Sequence, residues 1–124
     1  MSNPENILKT KSFAFAMRII KLNKYLVNEK REFVLSKQLL RSGTAIGALV
    51  REAQNAESKQ DFIHKLAISQ KECDESLYWL ELLVGSELLV QNEFNSIYDE
   101  ATQLLKIIKS SILTTKKNLA SKIR

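Results

Sequence analysis

Three glycines and one proline in 124 residues are too few for a turn-rich β architecture, and their scarcity favours long helices. A single cysteine, Cys73, excludes an internal disulfide and cannot by itself form a cysteine-type zinc site. No run of about 18 uncharged apolar residues occurs, so no membrane-spanning helix is expected. The opening MSNPENILKTKSF lacks the apolar run and small-residue cleavage site of a signal peptide, and a cytoplasmic location is expected. One histidine, His64, cannot furnish a di-metal bundle site, which needs two Glu-x-x-His pairs and two further glutamates.

What remains is an ordinary globular composition, 44% hydrophobic and 27% charged, in a chain of single-domain length. The net charge of +5 is unevenly spread. Residues 1–31 hold seven basic groups against Glu5 and Glu29, and residues 91–124 hold six against three. Residues 32–57 balance, and 58–90 carry three basic groups against six acidic. Basic ends around a neutral-to-acidic middle suit a nucleic-acid surface, and equally suit subunits or helices that attract one another.

Apolar spacing predicts four helices. Leu8, Phe15, Ile19, Leu22 and Leu26 mark the buried face of a first helix over about Ile7–Asn28, with Asn3-Pro4-Glu5 as its start signal. A turn at Asn28–Arg31 leads to a second helix over about Glu32–Ala56, with Val34/Leu35, Leu39, Ala45/Ile46, Leu49 and Ala53 inward. Ser58-Lys59-Gln60-Asp61 matches a capping box ahead of a third helix that ends near Gly85-Ser86. Phe62, Leu66, Cys73, Leu77 and Leu80 form its inner face. Asn92 is placed to cap a fourth helix carrying Ile97, Ala101, Leu104, Ile108, Ile112 and Leu119, with a basic tail from Lys116 expected to fray. Four amphipathic helices with short turns specify an all-α, antiparallel up-down four-helix bundle spanning residues 1–124 as one domain.

Two of the three glycines, Gly43 and Gly47, fall in LRSGTAIGALVREA. A phosphate loop would require Lys and Ser/Thr after a second glycine placed five residues on, whereas Ala48 and Leu49 follow here. In a helix each glycine costs about 1 kcal/mol relative to alanine. At a spacing of four the pair thins one helix face, which admits a close neighbour from the same chain or from another subunit.

The chemistry-bearing residues point away from catalysis. Asp61 and His64 are separated by three residues, but His64 has no second metal-binding partner of its kind. Glu72 and Glu75 suit a solvated face or ion pairing, with Arg41 or Arg51 crossing from the second helix as a buried pair that fixes register. Cys73 falls inward and off the face of His64, as a small core residue does. Tyr78 and Trp79 carry the largest apolar bulk and suit the core or a subunit interface. Lys11, Arg18, Lys21, Lys24, Lys116 and Lys117 are the candidates for backbone-type, salt-sensitive binding of RNA or DNA. An acidic protein partner for the same basic face is the rival reading.

The run LRSGTAIGALVREAQNAESKQDFIHKLAISQKECDESLYWLELL, with KSFAFAMRIIKLNKYL before it and EFNSIYDEATQLLKIIKSSILTTK after it, resembles the four-helix-bundle family of the bacterial 23S rRNA intervening sequences. The Arg41–Gly47 block, Glu52-Ala53, Ser58-Lys59, Asp61-Phe62, Lys65-Leu66, Lys71-Glu72 and Tyr78-Trp79-Leu80 carry the likeness. Leu49 and Arg51 depart from it, standing where asparagine and an acidic residue are common. The resemblance implies a homo-oligomer, a pentamer with a central channel, and no enzymatic activity or cofactor. A similar architecture serves the accessory protein of diversity-generating retroelements, which implies nucleic acid, a reverse transcriptase or a ribosomal component as partners. Arg41, Gly43, Gly47, Glu72, Glu75, Tyr78 and Trp79 are the candidate packing and interface residues.

Overall fold

The computed structural model describes residues 3–123. Its four helices are α1 (Pro4–Asn28), α2 (Leu35–Gln54), α3 (Lys59–Gly85) and α4 (Gln91–Ile123). Each packs on the helix before and after it in the chain, and α4 closes the square against α1, with no diagonal contact. Short connections between sequential neighbours make this the antiparallel up-down bundle that the periodicity specifies. At 1.5 Å per residue α4 exceeds α1 by roughly 12 Å, so its basic end runs past the start of α1 to lie beside the α2–α3 connection.

The core is the one written in the spacing. Phe15, Ile19 and Leu26 of α1, Leu39, Ile46 and Val50 of α2, Leu66, Leu80 and Leu83 of α3, and Ile97, Leu104 and Ile108 of α4 are all shut off from solvent. Cys73 is buried too, its thiol donating to the Ala101 carbonyl at 3.3 Å. Three expected positions fall outside this core: Val34 precedes α2 and stands exposed, and Leu49 and Leu119 are only half-buried, with Val50 taking the inward place next to Leu49.

Two helix starts are built as expected. The Asn3 side chain accepts from the Asn6 amide at 2.9 Å with Pro4 in the first turn, and Ser58 Oγ accepts from the Asp61 amide at 3.0 Å. The other two differ. Asn92 lies inside the first turn of α4 rather than capping it, and the helix stays continuous through Ile123, past Lys116 where fraying was expected. α2 begins at Leu35, three residues later than Glu32, because the Glu32 carboxylate itself gathers the free amides of Val34, Leu35 and Ser36 at 3.1, 2.9 and 2.7 Å. Burial works against the charge on Glu32, but the backbone bonds from Leu35, Ser36 and Val34 outweigh it and hold the carboxyl below its ordinary range. Its stabilising contribution is therefore fully present above the unfolded value of about 4.3 and lost as pH falls through the lower folded value. Glu32→Gln is expected to lower stability by about 1 kcal/mol at pH 7, and the difference from wild type should shrink in melts as pH falls below the ordinary glutamate value.

The end of α3 is a Schellman turn with the wrong residue in its key position. The Leu88 amide reaches the Leu83 carbonyl at 2.9 Å and the Glu87 amide reaches Val84 at 3.1 Å, which places Glu87 in the left-handed region at φ 65°. Gly85, the expected terminator, sits two residues early in ordinary right-handed geometry, with open space where a Cβ would go. Glu87→Gly and Gly85→Ala are each expected to raise stability by about 1 kcal/mol in denaturant unfolding. A loss at either position would refute this reading of the turn.

Candidate interaction surfaces

The Arg41–Gly47 block wedges α2 between its two neighbours in the same chain. Gly43 faces α1 so closely that a Cβ there would lie 2.9 Å from Ile19 Cγ1, and a Cβ on Gly47 would lie 3.3 Å from Ser12 Oγ. On the opposite side Ser42 and Ser76 hydroxyls meet at 2.9 Å, and Ser69 Oγ donates to the Ile46 carbonyl at 3.0 Å. Thr44 closes on its own helix, donating to Leu40 at 2.7 Å. The thin face is thus occupied by α1, not left for another subunit.

Arg41 does cross to α3, where it pairs with Glu72 at 3.1 Å and with Glu75. The expectation of a buried pair is corrected: half of the Arg41 side chain is exposed, because the pair bridges the outer edge of the α2–α3 seam. Arg51 takes no part. Its guanidinium lies over the Phe13 ring, 6.0 Å from the centroid, on the α1 side. Trp79 packs partly buried against the core, its indole N–H enclosed and without a hydrogen-bond partner, whereas Tyr78 stands more than half exposed beside it.

The six candidate cations do not form one patch. Arg18 is drawn into ion pairs across the α1–α4 seam with Glu93 at 3.0 Å and Glu100 at 3.3 Å, so it is not free to meet a phosphate. Lys11 donates to Gln103 at 3.4 Å on the same seam. Lys21 and Lys24 are exposed near the top of α1, beside an open groove of about 660 Å³ where α1 and α4 part. Lys116 and Lys117 lie at the far end of α4. Antiparallel pairing of Lys11 with Gln103 puts them beyond the start of α1, so the basic ends of the two helices fall at different heights.

A sharper division of charge runs along the chain than coarse counting by segment reveals. From Glu72 to Leu105 there are eight acidic residues and no basic one, and from Lys106 to Arg124 six basic residues and no acidic one. The acidic stretch falls in the upper half of α3 and α4, and Lys106 to Lys122 of the basic stretch in the lower half of α4. Lys106, Lys109, Lys116 and Lys117 are all exposed, at spacings that return to one helix face. Ser110, Thr114 and Asn118 line a shallow pocket on the adjoining side of α4, and Lys122 lies beside Lys59 at the base of α3. The neighbouring Lys122 ammonium pushes Lys59 below the ordinary lysine value, the sign of a site rich in positive charge.

Burial, helped by the nearby Asp74 charge, pushes the Cys73 thiol up to about 12, far from a reactive thiolate. Among the described residues no group of three or more His, Cys, Asp or Glu side chains converges on a metal position, and no helix is long and apolar enough to cross a membrane.

Comparison with known proteins follows this geometry. The family model described as 23S rRNA-intervening sequence protein matches residues 5–110. A crystal structure of a protein of unknown function from the S23 ribosomal protein family of Bacteroides thetaiotaomicron is 50% identical, with a TM-score of 0.88 over 89% of this chain and 98% of that one. No curated protein matches the chain.

Proposed function

The chain belongs to the 23S rRNA-intervening sequence protein family, and from that premise we propose that it is a non-enzymatic, cytoplasmic bundle that self-assembles, as a pentamer, and binds nucleic acid through its phosphate backbone. The observation that carries the reading is the basic run of α4, five lysines from Lys106 to Lys122 with no acid among them. Of the six original candidates, Lys116 and Lys117 keep the binding role, joined by Lys106, Lys109, Lys122 and Lys59. Hydroxyl and amide side chains on the adjoining side of α4 add neutral donors of the kind that bond phosphate oxygens. No element presents an array of base-reading groups, so RNA and DNA should bind through their charge, with little sequence preference. In an oligomer the copies of the α4 end would multiply along one strand. A reverse transcriptase or ribosomal component would then meet the protein on its nucleic acid.

The test is fluorescence anisotropy with short labelled RNA and DNA duplexes at low salt. Binding to both duplexes, indifferent to sequence, is expected. Absence of binding below 50 mM salt would overturn the reading in favour of an acidic protein partner for the same surface.

A further inference from the structure

α1 carries a second apolar stripe that its own bundle does not use. Phe13, Met17 and Ile20 recur at spacings of four and three on the side away from the core, with Phe13 56% and Met17 44% exposed. Exposed Lys21 and Lys24 border that stripe, and neither makes an ion pair among the described residues. α3 carries an outward stripe of the same rhythm in Tyr78, Leu82 and Gly85, with Tyr78 54% exposed and empty space above Gly85. Its borders are acidic: Asp74, Glu75 and Glu81.

The two stripes also lie at about the same height. Arg18 of α1 meets Glu93 and Glu100 of α4, and between those two Tyr98 donates to Glu81 of α3 at 2.8 Å. Because α1 and α3 run in the same direction, the stripes run parallel as well. An apolar strip edged with lysines on one side of the molecule thus has its counterpart, edged with carboxylates, on the diagonally opposite side.

We infer that the occupant of the α1 stripe is the α3 stripe of a second copy of this chain. Two α1 stripes facing each other would bring Lys21 and Lys24 against their own kind, and two α3 stripes would do the same with carboxylates. A contact between unlike faces is heterologous; faces at one height add copies side by side with no axial rise, and the row closes into a ring when each contact also turns by a fixed angle, where an axial offset would build a filament. The assignment rests on the self-assembly proposed above and names the surfaces that perform it. It leaves the α4 lysines outside the contact.

Light scattering on the full chain at tens of micromolar separates the two claims. The wild type is expected to be a closed oligomer. Lys21→Glu/Lys24→Glu and Asp74→Lys/Glu81→Lys should each reduce it to one subunit while keeping the helical circular dichroism and a cooperative melt. The chain carrying all four changes should reassemble, since the charges then complement again. A monomeric wild type overturns the self-assembly reading itself. An oligomeric wild type whose charge-reversed variants keep their size overturns only the assignment of faces, as do variants that dissociate without recovery in the fourfold change.

Discussion

Gly43→Leu is expected to destabilise the bundle by about 3 kcal/mol or more, roughly 10 °C in Tm for a chain of this size. The cause is local. A Cβ on Gly43 already falls 2.9 Å from Ile19 Cγ1 and 3.0 Å from Cγ2, and Ile19 is fully buried and β-branched, with no rotamer to retreat into. Gly47 differs, because its Cβ would meet Ser12 at 3.3 Å or more. The crowding there is mild enough for the helix propensity gained, about 1 kcal/mol, to balance it, so Gly47→Ala should be near neutral. A change of background sharpens the claim. Gly43→Ala should cost about 1 kcal/mol in the wild type, as overpacking exceeds the propensity gain. In an Ile19→Ala background the same change should be near neutral, since the two Cγ contacts are gone and only the residue 19 Cβ remains at 3.3 Å, the distance met at Gly47. Equal effects in both backgrounds, read from urea unfolding, would show that Ile19 is not what keeps Gly43 a glycine.

The second large effect concerns binding. Lys116→Glu, Lys117→Glu and Lys122→Glu together should flatten the log–log dependence of nucleic-acid affinity on salt by about 3, near one unit for each phosphate contact removed. All three residues are exposed on the last turns of α4 and none makes an ion pair among the described residues, so the fold and its melt should be unaffected. Lys21→Glu/Lys24→Glu provides the contrast. It acts on subunit number, and the slope per subunit should stay with the α4 lysines.

Most of the fold was legible in the sequence because apolar periodicity and burial are the same fact seen twice. Phe15, Ile19, Leu66, Leu80, Ile97 and Ile108 were inward by spacing and are buried in the structure. Helix ends were less legible wherever an unusual residue does the work. Glu32 caps α2 from outside it, and Glu87 occupies a left-handed position that glycine ordinarily fills. Neither follows from residue preferences, since both depend on how the chain turns after the preceding helix.

The surface was legible only in part. The Arg41 link to Glu72 and Glu75 followed from facing positions on adjacent helices, but its exposure did not, because that depends on which edge of the seam it bridges. Arg18 looked like a free cation on α1, and nothing in its own helix shows Glu93 and Glu100 arriving from a segment 75 residues away. The division between the acidic stretch ending at Leu105 and the basic stretch starting at Lys106 was present in the sequence throughout. Counting charges over 91–124 as one block averaged it away. Once the helix boundaries are known, the change of sign falls within α4 at Lys106, with Ile108 and Ile112 still buried beyond it.

The most direct test of the central claim, that the α4 lysines bind nucleic acid through phosphate, is the salt dependence of duplex affinity between 50 and 200 mM. The account predicts a steep linear fall of log affinity with log salt, similar for RNA and DNA of any sequence, that flattens in the Lys116→Glu/Lys117→Glu/Lys122→Glu variant. A slope that is the same in that variant, or an affinity indifferent to salt, would contradict it.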